Sequence, residues 1–208
     1  YDYLVISSGS KPNYFGVPGV EEHSFKLWSY DDAVILKDRI LNAFRKAAVE
    51  KNTEERRRLL TFYVIGAGFT GVEMIGELAE YVPFLCEKFE INPDEVTMVI
   101  VDSLTRPIPN LPEKLSNKVT KRLNKMGVQL IMNACVTKVA EDSIELTTNG
   151  ENVKKAVGTV IWVAGIHSSA IAQSAADSLE KQRGGRIPVD QYLRSTKDEN
   201  VFVIGDNM

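Results

Sequence analysis

The sequence predicts an α/β fold in which helices flank a parallel sheet and a three-stranded antiparallel β-meander is inserted. Two nearly unbroken apolar runs, at residues 59–65 and 96–101, have the composition of strands that are covered on both faces. A helical pattern of apolar residues lies between these runs, as expected where a helix connects parallel strands. Three shorter β-like runs follow later in the chain, and Asn149-Gly150 between the last two is typical of a type I′ hairpin turn.

Three helices are predicted from apolar residues that recur at three- and four-residue spacing, so that each helix buries one stripe. The first begins at Asp31 and Asp32, whose negative charges suit a helix N-terminus. The second covers residues 71–89 and is expected to kink or end near Pro83, and Gly127 ends the third. The stripes are Leu36, Ile40, Ala43, Phe44 and Ala47, then Ile75, Leu78, Ala79, Val82 and Leu85, and finally Leu115, Val119, Leu123 and Met126.

The remaining strands complete the alternation of strands and helices. They are predicted at residues 1–6, 128–132, 159–165 and 201–206, with the meander at 136–140, 143–148 and 152–157. Strand patterns stand directly at both ends of the chain, without an initiator Met or a lead-in segment. We therefore expect these residues to be part of a longer protein.

The composition favours a folded domain and excludes several kinds of partner. With 208 residues and 44% hydrophobic content, the chain can bury one domain, or a domain that carries pieces of another. A net charge of -3 gives no electrostatic reason to expect DNA, RNA or an anionic membrane surface. No apolar run reaches the roughly 20 residues of a membrane-spanning helix. Cys86 and Cys135 are too far apart for a Cys-x-x-Cys motif, so we expect reduced thiols in a cytoplasmic protein.

Neither the basic run nor the histidines indicate a ligand site. Residues 51–58 include three consecutive arginines, which suit a phosphate in principle, but neighbouring glutamates offset them and a solvated helix or linker is the simpler interpretation. His23 and His167 have no neighbouring ligand residues in the sequence. We expect no metal site and no catalytic acid or base.

A Gly-x-Gly-x-x-Gly motif, formed by Gly66, Gly68 and Gly71, lies between the strand at 59–65 and the second helix. The glycines respectively allow a tight turn, a close approach of the backbone to a pyrophosphate, and close packing of helix on strand. The helix that begins near Phe69 and Thr70 directs unpaired N–H groups at the phosphates, so no basic residue is needed. The motif predicts a Rossmann-like dinucleotide-binding unit.

Asp102 follows the next buried strand and indicates which dinucleotide is bound. A carboxylate at this point accepts both ribose hydroxyls of NAD and repels the 2′-phosphate of NADP. Asp102 lies farther from the motif than the usual spacing of about 20 residues, because the connecting stretch 80–95 is long. Asp102 therefore favours NADH. Arg106 is the counterargument, since its guanidinium can meet a 2′-phosphate.

Glu73 allows two interpretations. It follows the last glycine closely, and its charge can complement the helix dipole. It can equally contact the nicotinamide, and spacing alone does not decide between these roles.

With these motifs in place, the chain resembles the type II NADH dehydrogenases, the single-subunit NADH:quinone oxidoreductases among the flavoproteins with two dinucleotide-binding domains. Residues 3–12 resemble the segment in which that family leaves its FAD domain, although Ser8 stands where Thr is usual. Residues 66–73 resemble its Gly-x-Gly-x-Thr-Gly-x-Glu motif, and 200–206 its second FAD motif. Residues 159–165 resemble the strand and glycine that approach the nicotinamide.

The resemblance implies two cofactors and assigns residues to each. It divides the chain into an edge of the FAD domain with the crossover (1–20), an NADH-binding domain (21–195) and a return to the FAD domain (196–208). Gly9 and Asp206 would contact FAD in the intact protein. The NADH site would comprise Gly66, Gly68, Phe69, Thr70, Gly71, Glu73, Asp102, Ser103, Val136, Ala164 and Gly165.

The resemblance also implies an activity. In the intact enzyme, hydride would pass from NADH to FAD and electrons onward to a quinone. The first FAD motif and the C-terminal quinone region of the family have no counterpart in these residues. We therefore expect the chain by itself to bind NADH, to lack FAD and to be inactive. The intact protein would lie peripherally on the cytoplasmic face of the membrane, held there only by the C-terminal region, and a homodimer is compatible with the sequence.

Two alternatives stay open at this point. Soluble NADH oxidases, ferredoxin reductases and disulfide reductases share the architecture, and the visible residues barely separate them. A non-catalytic nucleotide-binding module is the alternative from a different class.

Overall fold

The computed structural model describes residues 1–208, which form twelve strands and six α-helices. The strands are β1 (Leu4–Ile6), β2 (Ser10–Pro12), β3 (Phe25–Lys26), β4 (Thr61–Ile65), β5 (Thr97–Val101), β6 (Val128–Ile131), β7 (Ala134–Val139), β8 (Ser143–Thr148), β9 (Glu151–Ala156), β10 (Thr159–Trp162), β11 (Ile166–Ser168) and β12 (Val201–Val203). The helices are α1 (Val20–His23), α2 (Tyr30–Val49), α3 (Thr53–Leu59), α4 (Phe69–Phe89), α5 (Glu113–Lys125) and α6 (Ala170–Ser178).

The chain divides into two compact units. The central unit is Tyr14–Ala164, and the terminal unit combines Tyr1–Asn13 with Gly165–Met208. These limits differ from the predicted domain boundaries at 20/21 and 195/196, because α6 and the segment after it share a buried core with β1 and β12. The assignment of domains to FAD and NADH stays a prediction.

A five-stranded parallel sheet forms the centre of the central unit, in the order β3-β10-β4-β5-β6. The last four residues of β4 and of β5 are buried, as their apolar sequences predicted. Ile65 is paired with Val101, so the two strands end side by side. The residues that follow them, Gly66 and Asp102, therefore lie at the same edge of the sheet.

Two of the three predicted helical stripes are buried against this sheet, but that of α5 is buried only in part, since Leu115 is exposed. Ser29 and Asp32 form a reciprocal capping box at the start of α2, and all five predicted stripe residues of that helix are buried. The second predicted helix does not end at Pro83: α4 includes this proline and continues to Phe89, as its apolar stripe predicted. Burial of Leu85 and Cys86 beyond the proline stabilises these last turns. None of the helices is long and apolar enough to cross a bilayer.

The basic run lies in α3 and makes internal contacts. Arg56 donates to both carboxylate oxygens of Glu95, at 2.6 and 3.0 Å, and Arg58 pairs with Glu55. The Arg56 guanidinium holds the pKa of the Glu95 carboxyl below its usual value. These pairs account for two of the arginines without a phosphate.

The inserted β-meander is also present in the central unit. Strands β7, β8 and β9 form an antiparallel sheet, and Asn149 and Gly150 both have positive φ, as a type I′ turn requires. Buried residues of β7 and β8 share a hydrophobic cluster with residues of β4, β5 and β10. The predicted fold class, a parallel sheet flanked by helices with an inserted meander, is therefore confirmed.

The terminal unit contains two small sheets. Strands β1 and β12 pair in parallel, and β2 and β11 pair antiparallel. Its core consists of Ile6, Ala172, Ala176, Ile187, Val201 and Val203.

Candidate dinucleotide-binding site

The turn between β4 and α4 brings two strand ends into close contact. Gly66 has a φ of 105°, which disfavours any other residue, and its N–H donates to the carbonyl of Val101 at 2.8 Å. A Cβ atom at Gly66 would lie 2.8 Å from the Cα atom of Ala164. Glycine at this position therefore lets the end of β4 lie directly against Ala164, two residues after β10.

The last glycine of the motif lets α4 pack against its own turn. A Cβ atom at Gly71 would lie only 1.7 Å from the carbonyl oxygen of Gly66. No side chain fits there, so Gly71 sets how closely the helix approaches the end of β4.

Gly68 is different, because no neighbouring protein atom requires a glycine at this position. A Cβ atom there would have nothing within 4 Å, and its φ of -71° is open to any residue. Gly68 is exposed and directly precedes α4, and no side chain caps that helix. The first intrahelical bond runs from the Val72 N–H to the Gly68 carbonyl. The N–H groups of Phe69, Thr70 and Gly71, which precede this bond, therefore have no acceptor within the helix. This open side fits the close approach of an anionic pyrophosphate.

Asp102 is bonded to the glycine turn itself. Its Oδ2 atom accepts the N–H of Ala67 at 2.6 Å, and its Oδ1 atom accepts the N–H of Leu104 at 2.8 Å. These bonds fix the carboxylate, and each oxygen retains capacity for a second donor, such as a ribose hydroxyl. Sequence reasoning missed the contact with Ala67, although the paired ends of β4 and β5 were the signal that could have found it.

Arg106 is engaged within its own loop. Its Nη1 atom donates to the carbonyl of Leu111 at 3.0 Å and its Nη2 atom to that of Pro109 at 2.9 Å. A guanidinium held in this way is not placed to receive a 2′-phosphate without breaking these bonds. The sequence-based argument for NADPH is weakened accordingly.

The other predicted NADH residues of the central unit lie in different surroundings. Ser103 is exposed beside Asp102. Glu73 is exposed on α4 and lines a groove of about 410 Å³ between α4 and α5, where it makes no hydrogen bond or ion pair. Val136 is buried in β7 within the hydrophobic cluster of the meander. The structure thus places Ala164 and Asp102 against the glycine turn.

Comparison with known proteins identifies the family. The model of the pyridine nucleotide-disulphide oxidoreductase family matches residues 1–208. The chain belongs to this family.

Several of the proteins that this chain resembles are type II NADH:quinone oxidoreductases. The type II NADH:quinone oxidoreductase Ndh of Mycobacterium tuberculosis is 34% identical over 218 residues, an alignment that covers 99% of this chain and 46% of that protein. A structure of NDH2 from Plasmodium falciparum in complex with NADH matches with a TM-score of 0.90 at 24% identity, over 100% of this chain and 44% of the other. A water-forming NADH oxidase from Lactobacillus brevis bound to NADH matches with a TM-score of 0.68 at 20% identity, over 100% and 39%. The chain spans about half the length of the curated relatives it matches.

Family membership directs attention to the predicted flavin residues in the terminal unit. Gly9 has a φ of 69°, and the neighbouring Ser10 hydroxyl donates to Asp206 Oδ2 at 2.6 Å. Asn207 is fully buried, and its amide oxygen accepts the N–H groups of Ser8 and Gly9, both at 3.0 Å, while its nitrogen donates to the Gly9 carbonyl at 2.8 Å. Gly9 and Asp206 are thus brought together, and the role of Asn207 was missed from the sequence. Gly165, with a φ of 71°, is exposed and also belongs to this unit.

The two cysteines of the chain lie in α4 and in β7. Cys86 and Cys135 are both free thiols. Burial raises the pKa of the Cys86 thiol, which disfavours its nucleophilic thiolate.

Proposed function

We propose that the chain supplies the NADH-binding site of a type II NADH:quinone oxidoreductase. The observation that carries this proposal is the open side of the glycine turn at Gly68, directly before an uncapped helix, with Asp102 bonded to the same turn. The names of the similar proteins support the choice of enzyme within the family.

The residues of the site have separate tasks under this proposal. Gly66, Gly68, Phe69, Thr70 and Gly71 hold the pyrophosphate, which the N–H groups and the helix dipole stabilise. Asp102 and Ser103 hold the adenosine ribose, and the negative charge of Asp102 disfavours the 2′-phosphate of NADPH. Glu73 and Gly165 contact the nicotinamide end of NADH. Val136 and Ala164 are the remaining residues of the proposed NADH site.

The redox chemistry belongs to the cofactors, and the chain contributes binding and orientation. FAD, when bound, accepts the hydride of NADH and delivers the electrons to a quinone. Gly9 and Asp206 are the residues of this chain that contact it. We expect these 208 residues alone to be colourless and unable to reduce a quinone, and the full-length protein to lie peripherally on the cytoplasmic face of the membrane. A homodimer remains compatible with this proposal.

Replacing Gly68 with alanine tests the site without disturbing the fold. The new methyl group meets no protein atom, but it occupies the side from which the pyrophosphate approaches. We expect Gly68→Ala to weaken NADH binding in calorimetry at least about tenfold, or roughly 1.4 kcal/mol. A helix N-cap tolerates this change with a loss of stability of about 1 kcal/mol.

Gly76 on the same helix provides the matched control. A Cβ atom there also meets nothing within 4 Å, but Gly76 lies in the interior of α4. Gly76→Ala should leave the affinity for NADH unchanged and raise stability by roughly 0.5–1 kcal/mol. Equal NADH affinity of Gly68→Ala and the wild type, or no binding by the wild type at millimolar NADH, would refute the proposed site.

A soluble NADH oxidase is the second candidate, favoured by the fold shared with the oxidase from Lactobacillus brevis. The acceptor distinguishes the two enzymes. Oxidation of NADH by the full-length protein should accelerate when a quinone is added under nitrogen. An oxidation rate that depends on oxygen and ignores quinone would favour the oxidase.

A further inference from the structure

The middle residue of the glycine turn is held from two sides. The N–H of Ala67 donates to Asp102, and its carbonyl accepts the N–H of Ile108 at 2.8 Å. Ile108 lies outside the glycine motif, and like Asp102 it belongs to the segment 102–112 between β5 and α5. A second segment of the chain therefore fixes the peptide planes on both sides of Ala67.

Ile108 makes this contact in an unfavourable backbone conformation. Its φ is 45°, in the left-handed region that β-branched residues rarely adopt, and its side chain is buried. Such a conformation persists only where the surroundings impose it.

Two side chains fix the carbonyls on either side of Ile108. Ser116, which is fully buried at the start of α5, donates its hydroxyl to the carbonyl of Pro107. Arg106 donates to the carbonyls of Pro109 and Leu111. The Leu111 N–H in turn donates to the Ile108 carbonyl at 3.0 Å. The segment is thus bonded before, at and after Ile108.

We propose that Arg106 and Ser116 are positioning residues for the dinucleotide turn. They hold Ile108 in its left-handed conformation, so that its N–H keeps Ala67 in place between Gly66 and Gly68. This inference rests on the proposed NADH site. Arg106 then acts through the backbone of the turn and does not recognise a 2′-phosphate. Its effect on binding is therefore the same for NADH and NADPH.

The affinities of four variants for both nucleotides test this assignment. Arg106→Ala and Ser116→Ala should each weaken NADH binding about tenfold, because part of the binding free energy must then restore the position of Ala67. The ratio of the NADH and NADPH affinities should stay that of the wild type. Arg106→Lys should recover part of the loss, because an ammonium can still reach a carbonyl. Arg122→Ala is the control, since its exposed guanidinium pairs only with Glu80 and should leave binding unchanged.

Amide hydrogen exchange adds a readout that needs no ligand. The Ala67 N–H should exchange faster in Arg106→Ala than in the wild type, and at the wild-type rate in Arg122→Ala. One result would overturn the inference: an Arg106→Ala protein with the melting temperature and the NADH affinity of the wild type but a weaker affinity for NADPH. Unchanged NADH affinity together with unchanged Ala67 exchange would do the same.

The two proposals can fail separately. If the wild type binds no NADH but Ala67 exchange still depends on Arg106, the proposed function fails and the positioning of Ala67 by Arg106 stands. If the wild type binds NADH and neither Arg106→Ala nor Ser116→Ala affects binding or exchange, only the positioning role fails. If Arg106→Ala does not fold, Arg106→Lys replaces it, and this variant should bind NADH more weakly than the wild type and exchange the Ala67 N–H faster.

Discussion

The glycine turn after β4 in the central unit and the turn at Gly9 after β1 in the terminal unit use glycine for different reasons. Gly66 and Gly71 are enclosed, since a Cβ atom at either would overlap neighbouring backbone. Gly9 has open space around it and needs glycine only for its φ of 69°. The first turn is held by backbone groups and one carboxylate, whereas the buried Asn207 amide and the Ser169 N–H, both bonded to Gly9, hold the second. Steric requirements therefore dominate one turn, and conformational and hydrogen-bonding requirements dominate the other.

The largest difference should come from adding one methyl group to each turn. Gly71→Ala places a carbon against the Gly66 carbonyl and should lower the free energy of unfolding by about 3 kcal/mol. Gly9→Ala meets no atom and should lose only about 1–2 kcal/mol, the penalty for a left-handed backbone. Urea unfolding measures both, and equal losses would remove the contrast between the turns.

Removing the amide of Asn207 tests the hydrogen-bonded turn. Asn207→Ala leaves the N–H groups of Ser8 and Gly9 without their partner, while the Gly9 carbonyl keeps the N–H of Ser169 at 3.0 Å. We expect a loss of about 2–3 kcal/mol in the free energy of unfolding, because buried groups left unpaired are penalised. Asn200→Ala, at an exposed position in the same unit, should change stability little. A similar small effect at Asn207 would contradict its role in the turn.

A smaller effect is expected from neutralising the carboxylate of the glycine turn. Asp102→Asn retains one acceptor but turns its NH₂ group toward the N–H of either Ala67 or Leu104, which should lower stability by about 1–2 kcal/mol. NADH should bind more weakly, and NADPH should not replace it, since Arg106 remains bonded to its own loop. Calorimetry with both nucleotides checks this, and NADPH binding as tight as wild-type NADH binding would show that Asp102 acts by charge alone.

The smallest effect concerns acid stability in the terminal unit. Backbone hydrogen bonding from Arg194 holds the pKa of the Asp190 carboxyl below its usual value. A lowered folded pKa contributes stability that is present above the unfolded pKa, about 3.9, and is lost as pH falls through the folded value. Asp190→Asn should therefore be less stable than the wild type at neutral pH, with the difference shrinking below pH 4. Melting temperatures across this pH range test the sign.

Hydrophobic periodicity predicted most of the central unit. The stripe of α2 and the buried strands β4 and β5 agree with the structure because their burial follows directly from the pattern of side chains. Leu59 and Leu60 belonged to the same apolar run but end α3 instead, since an apolar residue at a helix end and one in a strand look alike in sequence. The helix that includes Pro83 does not end there, since tertiary burial carries it on to Phe89, the limit that its apolar stripe predicted.

The sequence revealed less about how the site is held. Gly68 and Asp102 could be found from spacing and residue type. The left-handed Ile108 and the Asn207 amide could not, because their roles depend on partners distant in sequence. The membership of residues 165–195 in the terminal unit depends likewise on long-range packing.

The pairing of Ile65 with Val101 has a consequence for recognising such sites in other sequences. Because sheet register alone brings Asp102 beside Ala67, the helix and linker between the two strands can lengthen or shorten without moving the carboxylate. A search template that demands a fixed count of residues from glycine to acid would overlook this chain. A template that asks for the first acid after the next parallel strand would tolerate insertions and still select for a carboxylate bonded to the glycine turn.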